Sequence, residues 1–209
     1  MDIHPPQEPI HTWRDLLTHL GVITVGLFIA LSLEGFVEYM HHRHLVAEAR
    51  ANIHQEIQDN HDAAQKDLVL LQQNIDRLKA DIATLHKMRA DPKSHGSLTN
   101  TMNFDSLDDA AWRTARDTGA LSYMPYAEVQ RYSDLYLLSD LVNTTAISTG
   151  HREYLDMAPA MMDDDKDRLP AEEYTNMMRD DAATEIELIA LKQYVQQLDD
   201  HLLAELKKP

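Results

Sequence analysis

The residues best suited to chemistry in this sequence lie close to position 40. Glu34 and Glu38 are four residues apart, and His41 and His42 follow, so a helix would carry them along one face. Glu38 and His41 form the Glu-x-x-His spacing that helical bundles use to hold pairs of metal ions. Such sites also take ligands from facing helices, which a symmetric oligomer of this chain could supply. A metal site at these four residues is therefore one interpretation.

The same stripe has a simpler interpretation as the edge of a membrane. Residues 41–44 read His-His-Arg-His, and eight of the 12 histidines fall in the first 61 residues. With Glu34 and Glu38, the His41–His44 cluster would contact water and lipid headgroups at the boundary of the bilayer. We favour this interpretation, so the sequence predicts no cofactor. A bound metal ion, or a pH- or ligand-sensing module at this cluster, is the alternative.

One apolar stretch, residues 16–37, is long enough to cross a bilayer, and the stripe lies at its end. A helix of 22 residues rises about 33 Å, and the hydrocarbon core of a bilayer is about 30 Å thick. Trp13 and Tyr39 bracket the stretch as interfacial aromatic residues commonly do. We predict an N-terminal tail at 1–15 and a transmembrane anchor at 16–40. A signal peptide and a buried core helix are the alternatives, because the main apolar run, interrupted only by Thr24 and Ser32, is only 14 residues long.

The basic residues beside the anchor do not decide its orientation, since Arg14 precedes it and Arg43 and Arg50 follow it. An early anchor followed by one large domain most often exports that domain. We therefore favour a periplasmic location for the soluble part of a single-pass protein. The chain contains no cysteine, which removes disulfides and thiol chemistry in either compartment.

The soluble part carries most of the excess negative charge. Five of the 35 acidic and two of the 19 basic residues lie in the first 44, which leaves 30 acidic and 17 basic residues, a net charge of −13, in the remainder. An acidic surface of this kind argues against nucleic acid as a partner.

Beyond the anchor the sequence has a helical pattern. Residues 41–90 contain no proline or glycine, so the anchor is predicted to continue without a break into a membrane-proximal segment and a long stalk. The apolar residues of the stalk alternate at intervals of three and four, as in the seam of a coiled coil: Leu68, Leu71, Ile75, Leu78, Ile82 and Leu85. Continued towards the N-terminus, this seam would include His54 and His61. We slightly favour a rotation of the inward face to Ile53 and Ile57, which would leave both histidines outside.

The remaining residues, 91–209, are predicted to form the other helices of the same bundle domain. Asp105 or Ser106 would cap a short helix. Pro125 would begin a longer helix, and Pro170 the last one.

The last helix would pack through an apolar face made of Met177, Met178, Ala182, Ile186, Ile189, Leu191, Val195, Leu198 and Leu202. The predicted fold is therefore all-α. A transmembrane helix continues into a long coiled-coil-like helix, which packs with two further long helices and one short helix as an elongated up-and-down bundle.

Two further patterns suggest contacts. Gly26 and Ala30 form a small-xxx-small pair, which allows two membrane helices to approach closely and makes a homo-oligomer plausible.

A cluster of aromatic and basic residues lies in the sequence on both sides of Gly119, and we name it the corner. Gly119 itself fits the left-handed end of the short helix. We predict that the corner packs at one end of the bundle, and an anion- or peptide-binding site is the alternative. The residues of the corner are Trp112, Arg113, Arg116, Tyr123 and Tyr126.

Several segments of the chain together resemble one family of proteins. They are HTWRD at 11–15, GLFIAL at 26–31, LEG at 33–35, HHRH at 41–44, and a Trp-x-x-Ala…Thr-Gly-Ala-Leu element at 112–121. In these segments the chain is similar to an uncharacterised family of small bacterial proteins with a single transmembrane helix and a helical remainder. The resemblance implies the bacterial inner membrane and no particular activity.

The sequence contains no recognisable catalytic motif. Its six glycines do not form a phosphate-binding loop, and nucleophile-elbow and zinc-protease patterns are absent. We therefore predict a non-enzymatic, membrane-anchored scaffold or accessory subunit. Its expected partners are the lipid bilayer and another protein or membrane complex.

Overall fold

The computed structural model describes residues 13–91, 93–99, 102–156, 158 and 169–208, and these contain no β-strand. The predicted all-α fold class is confirmed, because α1 is one uninterrupted helix that packs with the others as a bundle. The elements are α1 (Trp13–Ala90), α2 (Ala110–Asp117), a 3-10 turn (Ala120–Tyr123), α3 (Tyr126–Asp156) and α4 (Ala171–Leu206).

The chain divides into two compact units, Met1–Glu48 and Ala49–Pro209. Residues 1–12 of the predicted tail lie outside the described residues. In the first unit, α1 contains an 18-residue window with a mean hydropathy of 2.1, none of which is buried within the protein. This helix is long and apolar enough to cross a membrane. The hydroxyls of Thr24 and Ser32 each donate a hydrogen bond of 2.7 Å to the carbonyl four residues earlier, so neither needs water as a partner.

The predicted seam forms the core of the second unit. Leu71, Ile75, Leu78 and Leu85 are buried, and apolar residues of α4 such as Leu198 are buried as well. At the start of the seam the inward face rotates to Ile53 and Ile57 as expected, but of the two histidines only His54 lies fully outside it. Ile53 and Ile57 are buried, whereas His54 is exposed and His61 lies at the edge, 2.6 Å from an Asp199 carboxylate oxygen.

The inward face of α4 agrees with the prediction except at two residues. The predicted residues that are buried are Met177, Met178, Leu191, Val195, Leu198 and Leu202. Ile186 and Ile189 are 69% and 41% exposed. Asp181 and Thr184 occupy the inward positions instead. A count of apolar residues misses these two positions; the Thr184 hydroxyl donates to an Asp156 carboxylate oxygen of α3, while Asp181 is buried beside other carboxyl groups.

The short helix begins later than predicted. It starts at Ala110, with Asp109 as the preceding residue, and not near Asp105 or Ser106. Residues 102–109 are not helical, because side chains of α1 and α3 bond their backbone groups. Gly119 has a positive φ of 79°, which confirms the predicted left-handed position after α2.

Candidate functional site

Residues 102–109, which we name the strap, run beside four buried polar side chains of α1. These four residues, the ladder, are spaced by seven: Asn60, Asp67, Asn74 and Asp81. Because seven residues make about two helical turns, they lie in one line along α1. Each ladder residue directly precedes a position of the apolar seam in the sequence.

Three of the ladder side chains bind the backbone of the strap, and the fourth, Asp81, binds the backbone of Thr99. The Asn60 amide donates to the Asp108 carbonyl at 2.7 Å and accepts from the Asp108 N–H at 2.8 Å. The Asn74 amide donates to the Asn103 carbonyl at 3.0 Å. Asp81 accepts from the N–H of Thr99, which precedes the strap, at 3.4 Å. These bonds satisfy peptide groups that no helix or strand satisfies.

Asp67 is the ladder residue whose carboxyl group is only half hydrogen-bonded. Its Oδ1 accepts the Asp105 N–H at 2.8 Å, whereas Oδ2 is buried and has no hydrogen-bond partner within the described residues. Burial raises the pKa of Asp67 to about 6, since the charged form loses hydration.

A matching contact fixes the strap to α3. The Asn143 amide accepts from the Leu107 N–H at 3.0 Å and donates to the Leu107 carbonyl at 2.9 Å. Leu107 is buried. Its apolar side chain and its two peptide groups are therefore all held in the bundle.

Buried Glu56 attaches the beginning of α2 to the bundle. Its Oε2 accepts the Ala111 N–H at 2.7 Å, and its Oε1 accepts the Trp112 N–H at 3.2 Å and the Tyr136 hydroxyl at 2.6 Å. The carboxylate thus satisfies free N–H groups in the first turn of a helix. Burial and the bond to Glu56 raise the pKa of Tyr136, so its phenol stays neutral and donates.

The predicted corner around Trp112 is partly a packing site. The Trp112 ring stacks on Tyr136 with centroids 5.3 Å apart, and it meets Tyr132 edge-on at 6.4 Å. Tyr126, which we expected to close the end of the bundle, is 82% exposed. Tyr132, six residues further along α3, occupies the position beside Trp112 instead. Tyr123 is exposed as well.

The two arginines of this corner pair with acidic residues close in sequence. Arg113 lies 2.6 Å from Asp109, and Arg116 lies 3.1 Å from Asp117. Both arginines are exposed. Their charges are therefore matched within α2 and its first flanking residue, and exposed pairs of this kind add little stability.

A group of acidic side chains faces one arginine inside the bundle. Arg77 of α1 lies 3.3 Å from Asp81 and 2.5 Å from Glu153 of α3. Glu153 and Asp181 of α4 are buried. Asp156, at the end of α3, accepts from the Thr184 hydroxyl at 2.9 Å.

These acidic groups outnumber the positive charge beside them. Burial, and then repulsion by Asp81, Asp156 and Glu153, raise the pKa of Asp181 to about 7. Burial also raises the pKa of each of the other three carboxyl groups. The Glu153 Oε2 atom is buried without a partner in the described part of the chain. This interior therefore prefers protons on some of its carboxyl groups at neutral pH.

The histidine stripe lies on α1 in the first unit. His42 Nε2 lies 4.0 Å from Glu38 Oε1, while Glu34 and His41 are exposed on the same helix. Among the residues that the structure describes, no three His, Asp or Glu side chains come together as a metal site.

The remaining predicted contact residues also lie in the first unit, on exposed parts of α1. Trp13 and Tyr39 are exposed, and the Arg43 guanidinium lies 5.7 Å from the centre of the Tyr39 ring. A β-carbon placed on Gly26 would meet nothing within 4 Å, and Ala30 on the same helix is exposed. The surface that these small residues form is open to another helix.

Sequence reasoning missed the ladder and the strap. The signal that could have revealed them is a polar Asn or Asp every seventh residue, directly before a seam position. Searches for similarity found no matching protein-family model, no matching curated protein and no matching solved structure.

Proposed function

We propose that this protein is a non-enzymatic scaffold or accessory subunit, anchored in the bacterial inner membrane by a single helix, with its second unit in the periplasm. The exposed apolar window of α1 supports the anchor, because such a surface is stable in lipid and unfavourable in water. The open small-residue surface at Gly26 and Ala30 supports pairing of two anchors.

One observation carries the role in protein binding. Leu137, Leu141 and Leu155 of α3 are 70%, 47% and 59% exposed. Their spacing of four and fourteen residues places them on one face of the helix, which we name the α3 leucine face. Leu137 and Leu141 are one turn apart and form a contiguous apolar pair, and Leu155 lies about 21 Å further along the same side. Contiguous exposed apolar residues are typical of protein–protein contacts. The second unit therefore presents a surface that a partner protein can cover.

Fractionation of bacterial cells tests the anchor. We expect the full chain in the membrane pellet after ultracentrifugation without detergent, and its release only when detergent is added. A variant that lacks residues 13–40 is expected in the supernatant. Recovery of the full chain in the supernatant would contradict the anchor and with it the proposed function.

Size analysis of the detergent extract tests the partner. We expect the protein to elute in a complex larger than its own micelle. Leu137→Lys combined with Leu141→Lys should reduce that complex at least fivefold, because two charges would be buried at the contact. Ile186→Lys with Ile189→Lys is the matched control on α4, and it should leave the complex intact. Equal effects of the two pairs would rule out the α3 leucine face.

A second candidate function is a membrane-proximal metal-binding or sensing module at Glu34, Glu38, His41 and His42. The 4.0 Å approach of His42 to Glu38 favours it, since both side chains could share one cation. Metal analysis of the purified protein tests this candidate. Stoichiometric metal that is lost in His41→Ala with His42→Ala would support it, and metal-free protein would eliminate it.

A further inference from the structure

A groove of about 440 Å³ lies between the strap and α3 in the second unit. Met102 and Phe104 of the strap form one wall. Ala146, Ile147, Gly150 and Tyr154 of α3 form the other. A volume of this size suits a small molecule, because ligand pockets span roughly 300 to 1,000 Å³. A helix of a partner protein, about 10 Å wide and many turns long, would need a longer groove.

The backbone on both sides of this groove is held by hydrogen bonds within the protein. The ladder holds the strap through its peptide groups, and Asn143 holds Leu107 through both of its peptide groups. Met102 and Phe104 are thereby left beside the groove, where each is only partly exposed. A binding site whose walls need no ordering loses less conformational entropy when it takes up a ligand.

The lining also limits the charge of the ligand. None of the side chains that line the groove is an acid, a lysine or an arginine, although the chain as a whole carries a net charge of −16. The polar groups of the lining are the Ser106 hydroxyl, the Asn143 amide, the His151 ring and the Tyr154 hydroxyl. An ionised ligand would lose hydration here without gaining an opposite charge.

We propose that this groove binds an uncharged, largely apolar small molecule with an aromatic or short aliphatic body and one hydrogen-bonding group. The body lies between the strap wall and α3, and the hydrogen-bonding group faces Ser106 or His151. This site is separate from the α3 leucine face, so its failure would leave the proposed partner contact untouched.

Gly150 offers a direct way to close the groove. A β-carbon at this position would lie 3.4 Å from the Met102 sulfur. A leucine there would extend further and take up space that a ligand needs. Leucine is also a better helix former than glycine, so Gly150→Leu should not weaken α3 itself.

Photolabelling of the full chain in its membrane tests the proposal. The probe is 4-(hydroxymethyl)benzophenone, which is neutral and carries one hydroxyl group. We expect saturable labelling that mass spectrometry locates at Met102 or in residues 143–154. Gly150→Leu should reduce this labelling at least tenfold, whereas Gln197→Leu, an exposed control on α4, should leave it unchanged. The negatively charged analogue 4-benzoylbenzoate should label at least tenfold less.

A second variant separates blocking from misfolding. Ile147→Glu changes an exposed residue at the rim of the groove and brings a charge to the site of the ligand. It should also reduce labelling at least tenfold while the circular dichroism spectrum stays unchanged. Labelling that never saturates, that survives in both groove variants, that is lost equally in Gln197→Leu, or that is equal for the charged analogue would overturn the proposal.

Discussion

Lowering the pH from about 8 to about 5 is expected to stabilise the bundle by about 2 kcal/mol. In the unfolded chain Asp181 titrates near its ordinary value of 3.8, whereas in the folded protein its pKa is about 7. Between these values the folded state keeps a proton that the unfolded state has lost. The contribution of Asp181 to stability is therefore largest below pH 3.8 and falls as the pH rises through this interval, until the folded group has also lost its proton.

The size of the effect follows from the same comparison. Each unit of difference between the folded and unfolded pKa corresponds to about 1.4 kcal/mol of unfolding free energy. Residual hydration of the Asp181 carboxyl reduces this free energy, which is why we expect about 2 kcal/mol. Asp67, with a pKa of about 6, acts in the same direction. Arg50 lowers the pKa of Glu128 below its ordinary value of 4.5, so the stability from that pair is lost only at lower pH, outside this range.

Urea unfolding at pH 5 and pH 8 measures this effect. Asp181→Asn keeps the shape of the side chain and removes its titration. We expect this variant to be about 2 kcal/mol more stable than the natural protein at pH 8, and the difference to shrink at pH 5. Asp200→Asn, at an exposed position of α4, is the control and should change little at either pH. Stability that rises from pH 5 to pH 8 would contradict the expected sign.

Removing the Glu56 carboxylate is expected to cost about 3 kcal/mol of unfolding free energy. Glu56→Ala deletes three hydrogen bonds and leaves the buried Tyr136 hydroxyl without its acceptor. It also frees the first turn of α2, and with it the stacking of Trp112 on Tyr136. Only two tryptophans are present, and the other, Trp13, lies in the first unit. Urea unfolding followed by tryptophan fluorescence therefore reports on this contact.

Two further variants make the measurement specific. Glu56→Gln retains one oxygen acceptor and should lose about half as much stability as Glu56→Ala. Gln73→Ala changes an exposed residue of the same helix and should stay within about 0.5 kcal/mol of the natural protein. A Glu56→Ala variant as stable as Gln73→Ala would show that this carboxylate does not anchor α2.

Several elements could be predicted because their causes are local. The alternation of Leu71, Ile75 and Leu78 repeats within two turns of one helix, and any partner that covers it must bury those residues. Gly119 is the residue that most readily takes up a positive φ after a helix. The apolar window of the first unit is likewise a property of neighbouring residues.

The beginning of α2 and the burial of polar residues on the inward face of α4 could not be predicted in this way. Residues 105–109 have good helix-capping chemistry, yet Asn60 and Asp67 bind the backbone there and hold it out of a helix. On α4, Asp181 and Thr184 lie inward and Ile186 lies outward, and the Thr184 hydroxyl donates to a carboxylate of α3. Each outcome depends on a partner dozens of positions away.

By itself, the sequence determined an all-helical chain with an exposed apolar window and a heptad seam, because helix formation and apolar periodicity depend on residues within a few turns. Only the tertiary structure decided where the polar side chains are buried. A buried amide or carboxylate is stable when its hydrogen bonds are satisfied, and its partners come from other helices. The Asn60 contact with Asp108 spans 48 positions. The strap, the groove beside it and the acidic interior all follow from such long-range contacts.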